Sequence, residues 1–272
     1  MAPQPPRSTD RDFPYWLVAG AAIAAAVAIS IASSDLYAQI FTAVSRGIWI
    51  TIWVTLIGFA LASALGLGIA LMALSKSLVL RQIARFYVEI IRGVPVLVLL
   101  FWIAFAGVPA FVAAWNWAAA PLREAGIVDE MLVRDISLLW RAVIALTIGY
   151  SAFIAEVFRA GILSVEAGQI EAAKALGLSG FQRFRLIIFP QAIRTILPPL
   201  GNDFVAMVKD SSLVSVLGVA DITQLGKIYA SGSFRFFETY SVVAYIYLLL
   251  TVSLSLMLRA LERRMRRSRT GS

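Results

Sequence analysis

Long apolar runs dominate this chain. They lie at 16–33, 48–74, 94–118, 137–160, 195–219 and 241–260, and runs of this length call for membrane spans rather than amphipathic surface helices. At about 1.5 Å of rise per residue, even the first crosses a hydrocarbon core of about 30 Å with help from its flanks. The fifth is the weakest, because Asn202, Asp203, Lys209 and Asp210 interrupt it. No run alternates as a barrel strand would, and backbone satisfaction in lipid then requires helices. The expected fold is an all-α integral membrane protein with about six transmembrane helices. Residues 1–14, with Pro3, Pro5, Pro6 and mixed charges, read as a flexible cytoplasmic lead-in. Residues 15–46 read as an additional N-terminal transmembrane helix with an outer loop, 47–260 as the main transmembrane domain, and 261–272 as a basic cytoplasmic tail.

Charge placement orients these spans. The C-terminal segment 259–272 carries Arg259, Arg263, Arg264, Arg266, Arg267 and Arg269 against Glu262. The 75–93 connection has Lys76, Arg81, Arg85 and Arg92 against Glu89, and 161–194 has Lys174, Arg183, Arg185 and Arg194 against Glu166 and Glu171. The 119–136 connection is acidic instead, with Glu124, Asp129, Glu130 and Asp135 against Arg123 and Arg134. Six spans place the three basic segments on one side, which basic loops mark as cytoplasmic, with both termini there too.

Composition agrees with a membrane protein: 60% hydrophobic and 15% charged residues, against about 45–50% and 25% in soluble domains. The formal net charge of +8 does not point to nucleic acid, because the basic residues flank spans, where they fix topology and meet anionic lipid. The chain has no Cys and no His, which removes disulfides, thiol chemistry and the usual metal ligands. Gly226-Lys227 does not complete a phosphate loop, since Asp221 stands at the first Gly position and Ile228 follows. A Ser/His/Asp triad is impossible without His. No catalytic or metal-binding residue is therefore assigned. Arg7 and Arg11 before an apolar run could mimic a signal peptide, but the run is long and 33–35 is a poor cleavage site, so a retained helix is expected.

The segment 165–194 is polar and helix-forming between apolar runs. Glu171 to Leu176 are mostly good helix formers, and Gly177 suits the left-handed cap that ends such a helix. Ser179 with Gln182 three residues later is a capping-box pattern that starts a second helix, which Pro190 is expected to break or redirect. The expected product is a cytoplasmic helix–turn–helix between the fourth and fifth spans. Glu171 there can offer charge-assisted hydrogen bonds to a partner, while Ala172 and Ala173 permit close approach.

Ionisable groups at membrane depth form a second constellation: Asn202, Asp203, Lys209, Asp210, Ser211 and Ser212. Such groups generally face a bundle interior or water. Adjacent Lys209 and Asp210 point about 100° apart on a helix, so each needs another partner. A packing role and a role lining a solute path are both open. Glu156 and Arg159, three apart, read as a structural pair. Ala60, Ala64 and Gly68 form a small-residue ridge suited to close helix packing within or between chains. The tryptophans near span ends read as an interfacial belt. No repeated half supplies a second side of a pathway.

The wording Glu171-Ala172-Ala173, three residues, Gly177, nine residues, Ile187, then Phe189-Pro190 resembles the cytoplasmic coupling loop of ATP-binding-cassette importer permeases. The resemblance extends from about Gly47 to Arg264, to the polar amino-acid branch of that family (histidine, glutamate, glutamine, arginine and opine types). Arg92-Gly93-Val94-Pro95 is similar to its R-G-T-P element with Val94 for Thr, and Leu99 stands where Gln is frequent. Gly149 to Ile162 resembles its A-Y-x-A-E-x-x-R-G-G-I element with small departures. Gly168-Gln169 before Glu171 and Lys209-Asp210-Ser211-Ser212-Leu213, with Ser211 for Thr, also match.

This resemblance implies a permease domain at 47–260 with its coupling loop at 165–194, in the cytoplasmic membrane. Glu171, Ala172, Ala173, Gly177 and Pro190 would be the ATPase-coupling residues. It implies a second permease, a copy or a paralogue, two ATPase subunits that bind the ATP and Mg, and an extracytoplasmic solute-binding protein. This chain itself would need no cofactor and would translocate a polar amino acid inward. A secondary ion-coupled transporter using Asp203, Lys209 and Asp210, or a non-transporting membrane scaffold, are the alternatives.

Overall fold

The computed structural model describes the backbone of residues 15–267. The 1–14 lead-in and the end of the basic tail, 268–272, lie outside the described residues. The helices are α1 (Tyr15–Ser33), α2 (Asp35–Ser45), α3 (Gly47–Ala73), α4 (Leu78–Gly93), α5 (Val96–Trp102), α6 (Val108–Ala118), α7 (Ala120–Glu124) and α8 (Leu138–Leu163). They continue as α9 (Ala167–Ala175), α10 (Gly180–Arg183), α11 (Phe189–Asp210), α12 (Ile222–Ser233) and α13 (Phe236–Arg267). The described residues contain no strand.

Among the described residues, four stretches are long and apolar enough to cross a membrane: Asp35–Ala73, Val96–Ala118, Leu138–Leu163 and Phe236–Leu261. The first expected span is represented by a shorter apolar helix, Val18–Ser33. The fifth is α-helical only to Asp210 and then tightens into a 3-10 helix, Ser211–Leu217, which ends at Gly218 with φ +80°. Residues 35–45, expected as loop, are helical. Ile40 and Val44 turn one face of α2 into a cluster with Ile222, Val242, Val243 and Ile246, and burial of that stripe stabilises the helix.

Helix α8 is the centre of the molecule. Of its most apolar stretch 61% is buried, against 33% or less in the other three. Its closest neighbour is α3, along Gly58, Ala62 and Gly66, which are all buried. A Cβ on Gly66 would lie 2.9 Å from the Ser151 carbonyl oxygen, so the two backbones approach as only a glycine allows. The ridge Ala60, Ala64 and Gly68 is instead exposed, and a Cβ on Gly68 would meet nothing within 4 Å. Small residues do form the helix contact, two positions away from the expected ridge.

Two π-helical turns share one cause. In Ile103–Gly107 the next N–H, of Val108, reaches back five residues to Ile103, and Pro109 follows. In Phe184–Ile188 the Phe189 N–H reaches Phe184, and Pro190 follows. A proline ring clashes with the carbonyl four residues earlier, and widening the preceding turn moves that carbonyl aside. Pro190 therefore does not break its helix; the chain runs from α10 through the widened turn into α11.

Candidate functional site

The 165–194 segment is anchored before it is displayed. Helix α8 ends at Leu163, where Ser164 Oγ donates to the Gly161 carbonyl at 2.7 Å and lies 3.3 Å from Thr195 Oγ1. Val165, Ala192 and Ile196 are buried together, with Ile170, Ile187 and Ile188 packed around them. Gly161 is needed at this crossing, since a Cβ there would fall on Ile196 Cγ1. Gln191 Nε2 donates to Gln169 Oε1 at 2.6 Å and ties the start of α11 to α9.

The turn between α9 and α10 is closed by backbone geometry. Gly177 has φ +75°. Its N–H donates to Lys174 at 2.9 Å, and the Leu178 N–H donates to Ala173 at 3.1 Å. These two bonds make a Schellman motif, which satisfies carbonyls that a helix end otherwise leaves open. Ser179 Oγ then accepts from the Gln182 N–H, and Gln182 Oε1 accepts from the Ser179 N–H at 2.8 Å, a reciprocal capping box. Arg183 Nη1 adds a bond to the Leu178 carbonyl. Of the sequence-derived residues, Ala173 is buried against this scaffold. Glu171, Ala172, Gly177 and Pro190 are exposed, beside Leu176 at 81% and Phe181 at 70% exposure. Glu171 takes no part in the ion pairs among the described residues, which are Arg123–Glu130, Arg159–Glu156 and Arg235–Glu238. Rigid backbone thus presents a carboxylate and two large apolar groups to the surroundings.

The second constellation does not form one cluster. Positions 202 and 209 lie on one face of α11 and 203 and 210 on the next, because seven residues make nearly two turns. Asn202 and Lys209 are exposed, while Asp203 and Asp210 are half-buried. Asp210 Oδ2 accepts from Tyr150 Oη at 2.8 Å, so its partner is on α8 and not Lys209. Asp203 Oδ2 is buried without a hydrogen-bond partner. Ser211 Oγ, buried, donates to the Val208 carbonyl, and Ser215 Oγ donates to the Ser212 carbonyl, both at 2.7 Å. Local hydroxyl-to-backbone bonds of this kind accompany the tightening from α to 3-10 helix.

The Glu156–Arg159 pair forms as its spacing implied, but its surroundings and two further sets of residues escaped the sequence. Arg92 lies over the Phe153 ring at 5.4 Å, close to the bidentate Arg159–Glu156 pair. Arg92, Glu156 and Arg159, with Arg81, Arg85 and Glu89, line a cavity of about 370 Å³ between α4 and α8. Asp221 is wholly buried as the N-cap of α12, accepting from the Gln224 N–H at 2.8 Å and from Tyr247 Oη at 3.1 Å. Burial pushes its carboxyl above the ordinary aspartate range, against the opposing pull of donors on Gln224, Thr223 and Tyr247. Arg141, buried in α8, bonds to three backbone carbonyls. A single Arg near the start of the 137–160 apolar run was the available signal for it.

Comparison with known proteins places this architecture. Residues 62–267 match the family described as the binding-protein-dependent transport system inner membrane component. The chain is 39% identical over 200 residues to a probable amino-acid permease protein, YxeN, of Bacillus subtilis (strain 168), covering 74% of this chain and 81% of the relative. It is 38% identical over 185 residues to a glutamine transport system permease protein, GlnP, of Escherichia coli (strain K12), covering 68% and 75%. The fold superposes with a TM-score of 0.68 and 36% identity on the crystal structure of an amino acid ABC transporter with histidines, covering 84% of this chain and 95% of that one. The family match covers most of the chain, and the chain belongs to that family: it is an inner-membrane component of a binding-protein-dependent transport system.

Proposed function

We propose that this chain is the permease subunit of an ATP-driven importer of polar amino acids, and that 165–194 is where an ATPase subunit docks. The observation that carries the reading is the exposed Glu171, Leu176 and Phe181 on a turn locked by a Schellman motif and a capping box. A loose polar loop would lose force to its own bending; this one is bonded to α8 and α11 through Ser164, Gln191 and the Val165–Ala192–Ile196 cluster. Movement of a docked partner therefore reaches both helices. The relatives, a probable amino-acid permease and a glutamine permease, support the substrate class.

In this reading α1 and α11 with its 3-10 extension complete six spans, both termini are cytoplasmic, and the acidic 119–136 connection faces the solute-binding protein. A second copy or paralogue supplies the other half of the path. ATP and Mg reside on the ATPase. Asn202 and Lys209, exposed along one face of α11, line the path, while Asp210 and Ser211 hold the helix junction.

The test is co-purification. Glu171→Lys, in cells expressing the complete transporter, leaves the permease in the membrane and reduces recovery of the ATPase and uptake of labelled glutamine together. Wild-type recovery and uptake in that variant would refute the docking role. Uptake by the purified chain without any ATPase would establish the ion-coupled alternative instead.

A further inference from the structure

The π turn of Val96–Ala118 leaves the Ala104 carbonyl without a helical donor. The Val108 N–H, which would reach Ala104 in an α-helix, goes to Ile103. The residue that would serve Ala104 in a continuing π-helix is Pro109, which has no N–H. Ala104 is wholly buried, so water does not replace the donor. Arg141 does: its Nη1 donates to the Ala104 carbonyl at 3.2 Å from the neighbouring α8.

The same guanidinium holds the acidic connection that precedes α8. Its Nε donates to the Ile136 carbonyl at 2.9 Å, and its Nη2 donates to the Val133 carbonyl. Arg141 is 9% exposed, and none of the ion pairs among the described residues includes it. A buried charge is costly unless it is compensated, and here three carbonyl dipoles from two separate segments supply the compensation. The planar fork of Arg suits three divergent acceptors; a lysine ammonium is a point charge that cannot span them. Asn116 fastens the connection independently, bonding Met131 through both its backbone N–H (3.0 Å) and carbonyl (2.8 Å).

We propose that Arg141 is a positioning residue that pins the 131–136 connection to the proline-widened turn of the Val96–Ala118 helix, so that displacement of the connection moves that helix. The pin exists because Pro109 orphans Ala104, and this makes it separable from ordinary stability. The consequence for transport rests on the proposed function: a solute-binding protein pressing on the acidic connection acts on a path helix through Arg141.

Hydrogen exchange of the full chain in lipid nanodiscs tests the pin without ATPase or solute. Arg141→Ala speeds exchange in both 103–109 and 131–137 by about tenfold, the loss of a charged hydrogen bond. Adding Pro109→Ala supplies the missing N–H and restores protection in 103–109 while leaving 131–137 fast. Unchanged exchange in Arg141→Ala overturns the proposal, and so does loosening throughout α8 that Pro109→Ala does not repair. In the assembled transporter, Arg141→Ala lowers stimulation of ATP turnover by the solute-binding protein about tenfold, the same bond read as a rate, and leaves unstimulated turnover near wild type. Equal loss of both, or normal stimulation, overturns the transmitting role. A chain that recruits no ATPase at all would fail the functional reading while leaving the exchange result intact.

Discussion

Tyr150 Oη donates to Asp210 Oδ2 across 2.8 Å, joining the central helix α8 to the residue at which α11 tightens into a 3-10 helix. Tyr150 is 5% exposed, so this bond forms largely away from water. Tyr150→Phe and Asp210→Asn should each destabilise the folded chain by about 1–3 kcal/mol, the cost of leaving a buried hydrogen-bonding partner unsatisfied. The double variant should cost less than the sum of the two. Thermal unfolding of the four proteins in one detergent forms the cycle, and strict additivity would show that the two groups do not interact.

Gly177 predicts a separate outcome. Its φ of +75° is needed for both bonds of the turn, yet a Cβ there would meet nothing within 4 Å. Gly177→Val should therefore strain the backbone by about 1–2 kcal/mol without any steric clash. The expected result is a normally inserted protein with faster proteolysis at 175–180 and weaker ATPase recovery, measured by limited digestion and pull-down. Gly177→Asn, which tolerates the left-handed region, should retain most of both.

Gly66 and Gly68 make a matched pair on α3. A Cβ at 66 would lie 2.9 Å from the Ser151 carbonyl oxygen, and one at 68 would lie in open space. Gly66→Ala should cost about 1–3 kcal/mol through forced separation of α3 from α8. In the isolated chain Gly68→Ala should be neutral or slightly stabilising, because alanine is the better helix former. Unfolding temperatures of the two purified variants decide this, and equal effects would contradict the packing described.

Asp221 ties α12 to α13 and also sits against α3, where a Cβ on Gly47 would fall on the Asp221–Ile222 peptide. Asp221→Ala removes an N-cap and the acceptor for Tyr247, so a loss of about 2 kcal/mol is expected. Tyr247→Phe, which leaves the cap in place, should cost about half as much. Circular dichroism on heating separates the two, and a larger loss for Tyr247→Phe would place the strength of this junction outside the cap.

The sequence by itself determined everything that depends on neighbours in the chain. Apolar run length dictates helices in lipid, because no water is present to satisfy an open backbone. Glycine after a helical stretch and Ser179 three residues before Gln182 dictate the turn, since caps are made within a few residues. Asp203 and Asp210 lying off the Asn202–Lys209 face also follows from helical period alone. Tertiary structure decided the rest. Which small residues of α3 meet α8, which partner Asp210 takes, and that Arg141 reaches Ala104 all depend on residues 37 to 89 positions away. In an apolar helix every face is hydrophobic, so the pattern carries no record of which face packs inward. The course of the chain through Pro190 was decided between these levels. Proline removes a donor and clashes with the turn before it, but a helix held by Val165, Ala192 and Ile196 widens at Phe184–Ile188 rather than breaking.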